Sequence, residues 1–174
     1  MNLKQWSLAA ILIFSGLLGS CSNQSGSSSA SQSADSPLVG QWQTKIQFTT
    51  GAFAAINDLE FMYTFNSGGT MNESSNYDVA PPVPPAYGIW KHTGPNQYEA
   101  KYQFFLTRVP ADINELTRGS GWLPDGLGVL VEKITLSSDG NTYNSTVRYD
   151  AYDRQGKLLD GGGDATAQGV KLRF

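Results

Sequence analysis

Few residues in this chain carry the chemistry of a catalyst. One histidine, His92, and one cysteine, Cys21, stand among 174 residues, so a zinc site built from several of either is excluded. Neither a metal nor another cofactor is expected. His92 falls two residues after Trp90, on the same face of a strand. Pointing into a cavity, it could act as an acid, a base or a haem ligand; beside the turn Thr93-Gly94-Pro95 it would be a partly exposed surface residue. Ser145 has no histidine and acid relay visible in sequence, which leaves nucleophilic catalysis without support. The pairs Asp150 with Asp153 and Asp160 with Asp164 could be read as calcium ligands or sugar-hydrolysis carboxylates. No EF-hand spacing accompanies them, and the flanking Gly and Arg favour solvated hairpin turns. Asp160-Gly161-Gly162-Gly163-Asp164 lacks the strand-to-helix setting of a phosphate loop and reads as a flexible kink. No catalytic residue is assigned. With 12 Lys+Arg against 15 Asp+Glu the net charge is −3; there is no basic stripe, and a nucleic-acid partner is not expected.

What the chain has in quantity is aromatic rings at alternate positions. Tyr98-Glu99-Ala100-Lys101-Tyr102-Gln103-Phe104 puts apolar side chains on one face and polar ones on the other, as a half-buried strand requires. The same alternation runs through 42–48, 59–65 and 143–149. Turn signals lie between these runs at Asn66-Ser67-Gly68-Gly69, Thr93-Gly94-Pro95-Asn96, Ser138-Asp139-Gly140-Asn141 and Asp153-Arg154-Gln155-Gly156-Lys157. About eight strands follow, at 39–49, 58–66, 70–76, 87–93, 96–107, 128–138, 141–152 and 157–173, the last broken or kinked at Gly161-Gly162-Gly163. Short links between neighbours predict an all-β fold, an antiparallel up-and-down barrel that leaves no exposed edge. A β-sandwich is the alternative architecture. Two links are long: 76–86, stiffened by Pro81-Pro82-Val83-Pro84-Pro85, and 107–125, with room for a helical turn at 111–116.

If Trp42 faces inward, Thr44, Ile46 and Phe48 do so too. The apolar phases elsewhere add Phe61, Tyr63, Phe65, Tyr98, Ala100, Tyr102, Phe104, Tyr143, Val147 and Tyr149. Each inward tyrosine buries a ring yet brings a hydroxyl that needs a partner. The candidate interior site is therefore Tyr63, Trp90, His92, Tyr98, Tyr102, Phe104, Tyr143 and Tyr149, suited to an apolar or amphipathic ligand. The other outcome is a solid core in which the rings pack on each other. Strand 128–138 changes phase between Val129/Val131 and Ile134/Leu136, so either a bulge sits near Glu132-Lys133 or both faces are covered.

The N-terminus has a positive start at Met-Asn-Leu-Lys, an apolar run of 11 residues from Leu8 to Leu18, and Gly19-Ser20-Cys21. Such a run is too short for a bilayer span and has the form of a secretory signal peptide. Leu18-Gly19-Ser20-Cys21 resembles the bacterial lipobox, which implies lipidation of Cys21, removal of 1–20 and attachment to a membrane. Residues 21–37 are then a Ser-rich polar linker, too poor in apolar residues to fold, and 38–174 the barrel domain. By the sorting rules of that resemblance, Ser22 directs the protein to the outer membrane, facing the periplasm.

Gly40-Gln41-Trp42 at the first strand and Lys171-Leu172-Arg173 in the last resemble the calycin or lipocalin signature. There the tryptophan closes the barrel floor under a basic side chain, which in this chain would make Gly40, Trp42 and Arg173 the floor residues. Phe65-Asn66-Ser67-Gly68-Gly69-Thr70-Met71, Gly88-Ile89-Trp90-Lys91-His92-Thr93-Gly94 and Lys133-Ile134-Thr135-Leu136 resemble bacterial lipocalin-like proteins of unassigned function. The resemblance implies an envelope lipoprotein that binds a small ligand for carriage, sequestration or sensing. Two other roles are compatible with the residues: a packed barrel serving envelope structure or protein contacts, and a cofactor-free isomerase or cyclase acting on a lipid. Labelled fatty acid is expected on the wild-type protein, and Cys21→Ser is expected to release it from the membrane fraction; retention of the variant would refute the anchor.

Overall fold

Alternation of inward and outward side chains governs the whole described chain. The structure is a computed structural model that describes residues 36–76, 84–118 and 122–174, with the backbone alone at 116–118. The lipobox, Cys21, linker residues 22–35 and Pro81-Pro82-Val83 lie outside the described residues. Eight strands run in chain order: β1 Gly40–Phe48, β2 Glu60–Phe65, β3 Thr70–Ser75, β4 Ala86–Gly94, β5 Gln97–Arg108, β6 Leu123–Leu136, β7 Thr142–Asp153 and β8 Leu158–Lys171. Each pairs antiparallel with the next, and β1 pairs with β8, so the sheet closes on itself. Among the described residues a single short helix, α1 (Ile113–Arg118), sits in the β5–β6 connection, where the sequence left room for a helical turn.

Because the strands alternate in direction, one end of the barrel, here the floor, carries the tight turns after β2, β4 and β6. The opposite end, the mouth, carries the longer links 49–59, 76–85 and 109–122 and the β7–β8 hairpin. The β4–β5 turn is tight enough to force Asn96 to φ 55°, a left-handed conformation that asparagine tolerates. The register in β6 decides between the two sequence readings of its change of phase, a bulge or coverage of both faces. Leu130, Glu132, Ile134 and Leu136 all point inward in an uninterrupted ladder with β5 and β7, so no bulge lies at Glu132-Lys133. Val129 and Val131 belong to the outer face and are partly covered there. The register shifts instead fall between His92 and Gly94 on β4, between Leu106 and Thr107 on β5, and opposite Gly161 and Gly162 on β8, where a kink was expected.

Large and small residues complement one another across the inner wall. Gly88 pairs with Tyr102, Gly128 with Phe104 and Gly169 with Tyr143, so three inward glycines each accommodate the ring of a neighbouring strand. A Cβ on Gly169 would lie 2.1 Å from Cε1 of Tyr143, and one on Gly128 would lie 2.4 Å from Cζ of Phe104. Both contacts are far inside van der Waals separation. Gly169→Ala is therefore expected to destabilise the barrel by about 1–3 kcal/mol through overpacking, although alanine is the better residue for an unconstrained strand. Urea unfolding of the variant checks this, and unchanged stability would refute the packing.

Candidate functional site

The floor is built first, by the segment entering β1. Leu38 and Trp42 are fully buried, and the Trp42 indole donates from Nε1 to the Leu38 carbonyl at 2.9 Å. Lys171, the cross-strand partner of Trp42, holds its Nζ 5.3 Å from the indole centroid and donates to the Pro37 carbonyl at 2.7 Å. The cation over the floor tryptophan is thus Lys171, which corrects the expectation for Arg173. Register decides this: Lys171 is the last β8 residue paired with β1, whereas Arg173 lies beyond the strand and donates to the Asn141 side chain. Gly40 (φ 136°) keeps the wall clear for Lys171, whose Cε would be 2.9 Å from a Cβ there.

Three other predicted residues also belong to this end. The Trp90 indole is buried and donates to the carbonyls of Asn66 and Thr70, both at 3.1 Å, so it staples the β2–β3 turn. Tyr98 is buried beside it, with ring centroids 5.8 Å apart. His92 shares the strand face of Trp90 but is exposed, its ring 5.0 Å from that of Tyr98. The expectation that it lines the interior does not hold: β3 accompanies β4 only as far as Ile89, so His92, still paired with Tyr98, lies past the barrel wall on that side, just before the register with β5 shifts.

Midway up the barrel lies a polar cluster. Glu132 on β6 is fully buried. Its Oε1 accepts a hydrogen bond from Ser145 Oγ at 2.5 Å and its Oε2 one from the Tyr102 hydroxyl at 3.1 Å. The Tyr102 and Tyr63 hydroxyls are 2.7 Å apart, and Thr44 Oγ1 meets the Tyr143 hydroxyl at 2.6 Å. Glu73 on β3 is also buried. Burial pushes the Glu132 carboxyl up, with hydrogen bonds from Ser145 and Tyr102 pulling the other way. Burial, reinforced by the Glu132 charge, pushes the phenols of Tyr63, Tyr102 and Tyr143 well up, so they remain protonated donors.

Toward the mouth the lining turns apolar. Phe104 and Tyr149 stack with centroids 6.1 Å apart and planes 9° from parallel. Phe53, from the 49–59 link, packs 5.4 Å from Phe48 and 5.4 Å from Tyr149, lying across the opening. Burial pushes the Tyr149 phenol up to about 12. The structure thus divides the predicted residues into three levels: Trp90 and Tyr98 at the floor, Tyr63, Tyr102 and Tyr143 in the middle, Phe104 and Tyr149 at the mouth.

Glu73, Phe53 and the part played by Ser145 were missed. Glu132 was legible, since it shares the phase of Leu130, Ile134 and Leu136; the valines on the other face obscured it. Ser145 likewise shares the phase of Tyr143 and Val147. Phe53 lies in a loop, where periodicity carries no information. The carboxylates examined for metal or sugar chemistry serve the surface. Arg148 pairs with Asp150 at 2.8 Å and Asp164 at 3.3 Å, and Asp153 Oδ1 accepts the amides of Gln155 and Lys157 in its hairpin. Compared with protein-family models, with curated proteins and with solved structures, the chain gives no match.

The buried carboxyl sets a pH dependence. Its folded pKa lies above the unfolded one, so the folded state holds the proton more tightly. Its contribution to stability falls as pH rises from the ordinary carboxylate range through the raised folded value. Glu132→Gln is expected to remove that decline, measured as the difference between the two proteins' unfolding free energies across pH. A difference that does not change with pH would refute the assignment.

Proposed function

We propose that this protein is a lipid-anchored envelope protein whose lipocalin-like barrel takes a small apolar or amphipathic molecule in at its mouth, for carriage, sequestration or sensing. The observation that carries this is the ring cluster Phe48, Phe53, Phe104 and Tyr149. Phe53 and Phe104 in it are only partly buried, whereas Tyr63, Phe65 and Tyr102 deeper in the barrel are sealed. Aromatic surface left partly wet above a polar cluster is the lining expected of a small-molecule site. Phe53 is the one ring of the four that comes from a loop, so it is the natural lid. A ligand that lifts it would lie against the stacked Phe104 and Tyr149. The lipobox around Cys21 and the floor arrangement of Trp42 and Lys171 support the envelope and lipocalin-like parts of this proposal.

A second reading, the packed barrel in a structural or protein-contact role, is favoured by the mutual pairing of the Tyr63, Tyr102, Thr44 and Tyr143 hydroxyls. Catalysis by an isomerase or cyclase needs an acid or base near the substrate, and His92 lies at the opposite end of the barrel from the mouth. Native mass spectrometry of the protein taken from its host extract is expected to show a stoichiometric bound mass. Phe104→Ala is expected to weaken uptake of an apolar fluorescent probe about tenfold. A clean mass together with no saturable probe uptake would move the function to the packed barrel.

A further inference from the structure

The inward polar groups bear on which ligands such a barrel would accept, an inference that rests on the ligand-binding proposal above. Among the described residues the buried polar or charged side chains are Thr44, Glu73, Glu132 and Ser145, accompanied by tyrosine hydroxyls. No lysine, arginine or histidine is buried with them. The hydrogens around Glu132 are already committed. Ser145 and Tyr102 each donate to the carboxylate. Since a tyrosine has one hydroxyl hydrogen, the 2.7 Å contact between Tyr63 and Tyr102 must then run from Tyr63 to Tyr102. While the Glu132 carboxyl is ionised, the chain Tyr63 to Tyr102 to Glu132, joined by Ser145, retains acceptor lone pairs and has no hydrogen left to offer.

A carboxylate head group directed at Glu132 would find the hydrogens of Ser145, Tyr102 and Tyr63 already committed and would meet the like charge of Glu132. An ammonium group would find acceptor oxygens and opposite charge; a neutral hydroxyl, which can donate, falls between. The placement suits a ligand entering from the mouth. Leu130 is the cross-strand neighbour of both Tyr102 and Tyr149, and Glu132 is the next inward residue of β6 toward the floor. An apolar body lying on Phe104 and Tyr149 would therefore direct its head group at Glu132. We propose that the barrel selects amphiphiles with an amine head group over those with a carboxylate, and that Glu132 is the residue that sets this preference. A cationic head group would also hold the Glu132 carboxyl in its charged form, offsetting the effect of burial.

Calorimetric titration of the purified protein with decylamine, decanol and decanoate separates head group from chain. Decylamine is expected to bind about tenfold or more tightly than decanoate, with decanol between, since hydrogen bonds to charged groups are the stronger kind. Glu132→Gln, with folding checked by circular dichroism, is expected to shrink the ratio of amine to carboxylate affinity toward one. The comparison on the unmodified chain decides the selectivity even if that variant fails to fold. Decanoate binding as tightly as decylamine would overturn the selectivity and leave ligand binding standing. A ratio unchanged in a folded Glu132→Gln would overturn the role of Glu132. No binding of any of the three would overturn both this inference and the ligand-binding proposal.

Discussion

Closure of the sheet between β1 and β8 is the constraint from which the rest of the structure follows. Seven residues of β1, Trp42 to Phe48, pair with Lys171 back to Ala165, and this ladder leaves no strand edge unpaired. It also directs every second side chain of eight strands into one volume. Eight strands enclose an interior little wider than its own side chains, so bulk on one wall requires its absence on another. The inner face of β8, with Gly163, Ala165, Ala167 and Gly169, is the counterpart of the rings on β1 and β7. Glycines at 88 and 128 play the same part for β5. Their value in these strands is the space they leave.

The same enclosure makes polarity inside the barrel costly unless it is satisfied. A tyrosine-rich wall brings hydroxyls into a region away from water, and they find each other, Thr44, Ser145 and Glu132. A buried network of hydrogen-bonded groups holds its members in one arrangement, which gives the middle of the barrel a defined geometry. The floor is closed by the entering chain: Leu38 fills it, Trp42 bonds to it and Lys171 ties Pro37 beneath it. At the mouth the 49–59 link crosses the opening, pressed close against the glycines of β8. A Cβ on Gly163 would stand 2.1 Å from the Thr50 carbonyl oxygen.

Strand positions were readable because alternation and turn residues are local. The runs at 42–48, 59–65, 98–104 and 143–149 all lie within strands or begin one residue before them. β6 was the exception at its start. It begins at Leu123, in a stretch of Pro, Asp and Gly that carries no alternation, and is held there by pairing with β5. The identity of the floor cation was not readable, because Lys171 and Arg173 have the same phase and differ only in whether β1 is still alongside. His92 shows the same limit, since phase gives the face of a strand and says nothing of where the strand leaves the barrel.

The sequence by itself determined the strand order, the inward phase of β1, β2, β5 and β7, and the choice of tyrosine for the interior, since all three follow from contacts between residues near in the chain. Only the tertiary structure decided which hydroxyl meets which partner. Tyr63 and Tyr102 are 39 positions apart, and Thr44 and Tyr143 are 99 apart; no local pattern carries that information. It also brought Glu132 under Ser145 and Tyr102, and set Phe53 across the mouth. Those outcomes depend on the register of closure, a property of all eight strands together that no single strand encodes.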